Sequence, residues 1–281
     1  MYFVAKKENL NRDVEERFFI MDGIKRVVLV LSDGMRPDAF TACGSPFVEE
    51  LMAHSIYTLK AQTVMPSVTL PCHMSLFHSV PPERHGTLTN VHVPQVRPVN
   101  GIVDVLRRNG KFAASIYDWE ELRDLNQAGA LTHTYMVRGL HLGWETSTRM
   151  DFEDFRRYAE FPGLPDFTFF YMGIVDETGH KHGWMTPEYL DAVRFSMDTA
   201  GDIAKLLPDD TLLVVTADHG GIGRSHGSDA PECMTIPLFF YHKNFAPREL
   251  EAANIMDIVP TIAPLLGVAP EAEWEGRNLF E

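Results

Sequence analysis

The sequence predicts an α/β sandwich built on a mostly parallel sheet. Three observations carry that expectation. Short apolar runs rich in β-branched and aromatic residues recur along the chain. Segments with helical spacing of apolar positions lie between them. The runs do not alternate apolar with polar, which is the pattern of strands covered on both faces by helices.

The strands come first. Arg26 to Leu31 (RVVLVL) is a continuous apolar run. Phe112 to Ile116, Phe167 to Gly173 (FTFFYMG) and Thr211 to Thr216 (TLLVVT) read the same way, and Ile236 to Tyr241 adds a fifth. Helices are expected at residues 100–108, 150–158, 187–207 and 256–266. The third is the clearest, because Leu190, Val193, Met197, Ala200, Ala204 and Leu207 recur on one helical face. Pro260 and Pro264 interrupt the last. Residues 88–98, with several Pro and Val, read as a loop. No internal repeat, low-complexity tract or linker divides the chain. Residues 1–281 are therefore expected to form a single catalytic domain, with a small cap insertion around 118–165.

Composition narrows the function. The chain has 281 residues, of which 25 are Lys or Arg and 39 are Asp or Glu, for a formal net charge of −14. That balance argues against stable nucleic-acid binding. No apolar stretch is long enough to span a bilayer. Residues 1–22 are polar and charged with no apolar signal core, so a cytoplasmic location is expected and no membrane partner. Cys43, Cys72 and Cys233 show no metal-binding or disulfide spacing. An acidic protein that binds an anionic substrate needs a local source of positive charge, and metal ions held by the abundant Asp and His side chains would provide it.

Open α/β sheets bind ligands beyond the carboxyl ends of their strands. There the sequence places Ser32-Asp33-Gly34, then Asp176-Glu177-Thr178-Gly179-His180, then Ala217-Asp218-His219-Gly220-Gly221 followed by His226. One strand-end Asp is an ordinary helix cap or turn former. Several together, two with His close by, suit a divalent metal centre. Asp176 and His180 are close enough in sequence to share an ion through one turn. Asp218 and His219 are adjacent, and a Gly-rich loop could fold His226 back. His73, His85, His92, His133, His141 and His182 read better as ordinary core or surface residues.

Four segments, LSDGMRPD, PSVTLPCHMSLFHSVPPERHGTLTN, VDETGHKHG and TADHGGIGRSHG, resemble the nucleotide pyrophosphatase/phosphodiesterase branch of the alkaline phosphatase superfamily. They occur in the family's order between Val27 and about Gly227. The resemblance implies an alkaline phosphatase-like, three-layer sandwich and two divalent ions, zinc with manganese as the alternative. It implies that Asp176, His180 and His226 hold one ion, and that Asp33, Asp218 and His219 hold the other, which also binds Thr69. Thr69 would be the nucleophile and Asn90 a donor to a phosphoryl oxygen. Metal coordination would supply what a threonine hydroxyl lacks as a nucleophile at neutral pH. The bland alternatives are a helix-cap hydroxyl for Thr69 and a turn residue for Asn90; Ser67 is the rival nucleophile. A sulfatase is disfavoured, because no Arg follows in the Thr69-Leu70-Pro71-Cys72-His73 run.

The implied substrate is a small-molecule phosphodiester, pyrophosphate or nucleotide. A phosphomonoesterase or phosphonate C–P hydrolase would use the same machinery, with Arg36 or Arg224 as the nearest cations. A metal-stabilised binding protein without turnover is the alternative from another class. Trp119, Tyr135, Trp144 and Tyr158 could stack on a base or aryl group, although core packing is the simpler expectation.

Overall fold

The structure, a computed structural model, describes residues 21, 23–127 and 129–281. The charged N-terminal segment read above as a cytoplasmic start lies, apart from Met21, outside the described residues.

Among the described residues eight strands form one sheet in the order β4-β3-β5-β1-β6-β7-β2-β8. They are β1 (Arg26–Ser32), β2 (Ser55–Gln62), β3 (Ala113–Tyr117), β4 (His133–Met136), β5 (Phe167–Met172), β6 (Thr211–Thr216), β7 (Thr235–Tyr241) and β8 (Arg248–Glu249). β1 lies at the centre, parallel to both β5 and β6. Only β7 runs against the rest: it is antiparallel to both β6 and β2. The mostly parallel sheet is as expected. β2, β4 and β8 were not anticipated, because they lie toward the edges and mix polar with apolar residues.

Four long helices matter for the site: α1 (Thr69–His78), α2 (Trp144–Glu160), α3 (Ile174–His182) and α4 (Pro187–Lys205). Strand β5 shows why the sandwich has three layers. Its odd-numbered side chains face α1, where Phe77 meets the edges of Phe169 and Phe167 at ring distances of 5.0 and 6.3 Å. Its even-numbered side chains face the other way, where Phe155 of α2 lies 5.9 Å from Phe170. Both faces are fully buried, so truncating one of these rings to Ala would cost about 3–5 kcal/mol. α4 joins the α2 layer, where Ser196 meets Ser32 of β1 at 2.9 Å. Thr186 caps α4 and Pro187 occupies its first turn, a start suited to both residue types.

The segment around 118–165 contributes edge strand β4 and helix α2. The expected helix at 150–158 extends in both directions to become α2. The expected C-terminal helix shrinks to Ile258–Ile262 behind a short 3-10 turn at Ile255–Asp257. Residues 88–98 carry no helix or strand. All three cysteines are buried and free. Among the described residues no helix is long and apolar enough to cross a membrane.

Candidate active site

Strands β5, β1 and β6 are neighbours and end on the same sheet edge. Their sequels therefore meet in space. Asp33 follows β1, Asp176 lies in the first turn of α3 just after β5, and Asp218 follows β6. The last side chain arrives from elsewhere: Thr69 is the first residue of α1, and only 3% of its surface is exposed. The N-cap of α1 is Val68, which makes no side-chain cap bond, so the Thr69 hydroxyl is not serving as the helix cap. Its Oγ1 lies 3.2 Å from His219 Nε2. In this first turn the Leu70 N–H is taken by Asn90, Pro71 has no N–H and the Cys72 N–H bonds Val68 O, so the Thr69 N–H, with the helix dipole, is what faces an anion.

The carboxylates and imidazoles form two adjoining groups. Asp33, Asp218 and His219 can direct one ligand atom each to a common point, and so can Asp176, His219 and His226. His219 Nε2 is 3.3 Å from Asp33 Oδ1 and 3.4 Å from Asp218 Oδ2. Its ring stacks on His226 with centroids 3.9 Å apart. His180 approaches from the rim, with Nε2 3.3 Å from Asp176 Oδ2. The compact triad on that side thus contains His219 where the sequence suggested His180, which meets it through Asp176.

Two features of these groups fit metal ions. All three histidines place Nδ1 against a backbone carbonyl: His180 on Arg224 at 3.0 Å, His219 on Gly220 at 2.9 Å and His226 on Ser67 at 2.8 Å. Each Nδ1–H donates there and turns Nε2 toward the carboxylates, the usual outer bonding of a metal-ligating imidazole. The carboxylates complete the pattern. Among the described residues, Asp33 Oδ1, Asp176 Oδ1 and Asp218 Oδ2 are buried without a hydrogen-bond partner, an expensive arrangement unless a cation compensates them.

The electrostatics agree. Burial, with Asp218 and Asp176 close by, holds Asp33 well above the usual carboxylate range. Burial pushes Asp218 up to about 7. Burial also acts upward on Asp176, but its hydrogen bond to His180 and the nearness of His219 and His226 leave it below its ordinary value. The same hydrogen bond lifts His180 to about 9. Burial, reinforced by His219, lowers His226 to about 4.

Several supporting residues carried no sequence signal. Tyr171, inside β5, donates its hydroxyl to Asp33 Oδ2. Trp184 Nε1 and the Tyr189 hydroxyl both donate to Gly34 O, at 2.9 and 2.7 Å. The Gly34 N–H donates to Asp218 Oδ1 at 3.1 Å. His73, read as an ordinary core histidine, is fully buried, with Nδ1 2.8 Å from Thr69 O, and burial lowers it to about 3. Asn90 is exposed, and its Oδ1 accepts the Leu70 N–H at 3.0 Å. That anchors Asn90 beside Thr69, and among the described residues its Nδ2 donors have no partner. Ser67 Oγ donates to Ser228 O at 2.8 Å. Arg36 is engaged by Asp38 and by Gly221 O, whereas Arg224 is exposed.

Residues 27–225 match the family described as type I phosphodiesterase / nucleotide pyrophosphatase. The chain belongs to that family. Family membership supports phosphoester chemistry for this phosphodiesterase-family chain. Over 100 residues it is 35% identical to the catalytic subunit of GPI ethanolamine phosphate transferase 3 from Mus musculus, covering 34% of this chain and 9% of that protein. The corresponding transferase of Schizosaccharomyces pombe is 34% identical over 104 residues, covering 34% and 11%. The chain thus spans only a small part of the length of these curated relatives. Among solved structures, human ectonucleotide pyrophosphatase/phosphodiesterase 5 superposes with a TM-score of 0.75 at 14% identity, over 91% of this chain and 98% of that one. The inactive threonine-to-alanine variant of its murine counterpart, in complex with AMP, gives 0.74 at 14% identity, over 89% and 98%. A phosphonate monoester hydrolase of Agrobacterium radiobacter gives 0.70 at 15%, over 91% and 76%. At these identities the structural likeness is one of fold.

Proposed function

We propose that the chain hydrolyses phosphodiester or pyrophosphate bonds of small molecules, nucleotides among them, through a covalent phospho-threonine at Thr69. The observation that carries this reading is the position of Thr69: a buried hydroxyl at a helix N-terminus, 3.2 Å from an imidazole shared by two ligand groups. Asp33, Asp218 and His219 would hold one divalent ion, and Asp176, His180 and His226 another, with His219 near both. Bound there, zinc or manganese would supply Lewis acidity and lower the pKa of the threonine hydroxyl; the mixed carboxylate and imidazole donors favour zinc.

The chain's own residues account for the rest. Thr69 Oγ1 attacks phosphorus and loses its proton, and the leaving alcohol or phosphate departs with a proton. The Thr69 N–H and Asn90 Nδ2 would face the charge that builds on the phosphoryl oxygens. Water then cleaves the phospho-threonine and restores Thr69. Diesters suit this site because none of the hydrogen bonds and ion pairs of Thr69, Asn90 and the proposed ligands, among the described residues, comes from a Lys or Arg side chain. A monoester, with one more charged oxygen, would need such a cation. The murine structure supports both parts: its threonine-to-alanine variant is inactive and its ligand is a nucleotide.

One further reading has specific support. The partial identity to ethanolamine phosphate transferases fits a phospho-threonine that is passed to an alcohol instead of water.

The test is an assay of zinc-supplemented protein on bis(p-nitrophenyl) phosphate, p-nitrophenyl phosphate and phosphonoacetate, with and without glycerol as acceptor. Diester turnover above monoester turnover, abolished in Thr69→Ala, is expected. Absence of release from all three would overturn the enzyme reading. Full activity in Thr69→Ala would overturn the nucleophile. A phosphoryl-glycerol product in preference to hydrolysis would establish transfer.

A further inference from the structure

A second pair of buried carboxylates lies on the same sheet edge, and the reaction proposed above does not use it. Asp118 directly follows β3 and is fully buried. Its Oδ1 accepts the N–H of Gly173, the residue from which α3 starts, at 3.0 Å. Its Oδ2 accepts from Ser147 Oγ at 3.3 Å and from Thr148 Oγ1 at 3.1 Å. Both hydroxyls also lie 2.9 Å from Trp144 O.

Asp151 stands one turn further along α2. Its spacing from Ser147 and Thr148 places all three on one helical face. Helical side chains lean toward the helix N-terminus, which turns the Asp151 carboxylate back toward those hydroxyls and Asp118. Asp151 is fully buried, and among the described residues neither of its oxygens has a hydrogen-bond partner. Among the described residues no Lys, Arg or His side chain makes a hydrogen bond or ion pair with either carboxylate. Burial and then Asp118 drive Asp151 up to about 9. Burial drives Asp118 up to about 7. Two buried carboxylates within electrostatic reach of each other, with no cation beside them, are strongly unfavourable.

We propose that Asp118 and Asp151, with the Ser147 and Thr148 hydroxyls, form a binding site for one oxygen-preferring divalent cation, calcium or magnesium, separate from the catalytic groups. Two carboxylates balance one such charge. The donors are all oxygens, which suits a hard cation and not zinc. The site ties α2 to Gly173, and Gly173 leads into the helix that carries Asp176 and His180. Space there is tight: a Cβ on Gly173 would lie 3.2 Å from Asp118 Oδ1 and 2.3 Å from the Trp144 ring. The cation would therefore brace the start of α3. The inference does not depend on the proposed reaction.

Equilibrium dialysis of the zinc-loaded full chain against radioactive calcium, and calorimetry with magnesium, test it. One saturable site per chain is expected in the unmodified protein and in Asp218→Asn, which lacks a proposed catalytic ligand. The site should vanish in the near-isosteric Asp151→Asn while zinc content, by elemental analysis, stays unchanged. Saturating calcium should raise the unfolding midpoint of the unmodified chain and not that of Asp151→Asn. If Asp151→Asn does not fold, Thr148→Val should weaken calcium binding at least tenfold. The inference fails if the unmodified chain binds neither cation saturably, or if whichever of these variants folds binds calcium as the unmodified chain does. It also fails if Asp151→Asn raises the unfolding midpoint equally with and without calcium, the mark of a carboxyl pair that shares a proton instead.

Discussion

The Tyr171 hydroxyl donates to Oδ2 of Asp33, while Oδ1 of the same carboxylate, buried, has no hydrogen-bond donor among the described residues. The two oxygens are thereby given different tasks: one fixes the side chain and the other is left to a cation. Tyr171→Phe removes the first task and keeps the ring in its packing against His73. Outer-shell bonds of this kind typically contribute 10–100-fold to metal affinity. Zinc affinity, measured by chelator competition, is expected to fall by about that factor. Stability should fall by only about 1 kcal/mol, the worth of an ordinary hydrogen bond.

Gly34 is constrained by its surroundings as well as its backbone. It has φ +69°, and a Cβ there would lie 3.0 Å from both Cβ and Oδ1 of Asp176. Gly34→Ala is therefore expected to cost about 1–3 kcal/mol in chemical denaturation. It should also displace Asp176 and lower activity far more than stability. Gly44 has φ +76° and open space around it, so Gly44→Ala should show the stability loss without the loss of activity.

The pattern of what sequence could show follows from these contacts. Asp33, Asp176 and Asp218 were legible because each closes or closely follows an apolar run on a central strand. Tyr171 was not, since every residue of β5 is buried and apolar character does not reveal which face meets Asp33. Asp151 reads as one more surface charge in the MDFEDF stretch of α2. Its burial depends on β3 ending beside that helix, a long-range outcome. The same holds for His219, whose place between two ligand groups is set by the order of β5, β1 and β6. Strand β2 was missed because Tyr57, Thr58, Lys60 and Gln62 break the apolar run that identified its central neighbours.

Ser67 lies two residues before Thr69, but its hydroxyl is directed to Ser228 O at 2.8 Å. Its backbone carbonyl has the more useful role, orienting His226 through Nδ1. Ser67→Ala keeps that carbonyl. Diesterase activity should stay within a few-fold of the parent, against a loss of roughly 10³-fold or more in Thr69→Ala, as for removal of other catalytic nucleophiles. Steady-state kinetics on the two variants decides between the hydroxyls, and the reverse ranking would move the nucleophile to Ser67.

Asp151 also predicts how stability changes with pH when calcium and magnesium are absent. Burial and the neighbouring Asp118 raise its pKa to about 9 in the folded chain, and Asp154 adds to the effect. Tyr135 is also within electrostatic reach. In the unfolded chain an aspartate titrates near 3.9. The folded state therefore binds the extra proton, so stability is greatest below the unfolded value and declines as pH rises through the interval up to about 9. Asp118, raised to about 7 by burial, adds to the decline over the lower part of that range. Asp151→Asn has no charge to develop. It should match the parent near pH 4 and exceed it near pH 9 by on the order of a few kcal/mol in urea denaturation. Calcium binds the deprotonated pair, so saturating calcium should restore the parent at pH 9 and leave the variant unmoved. A parent curve that stays flat from pH 4 to 9 without divalent cations would place a compensating charge beside Asp151.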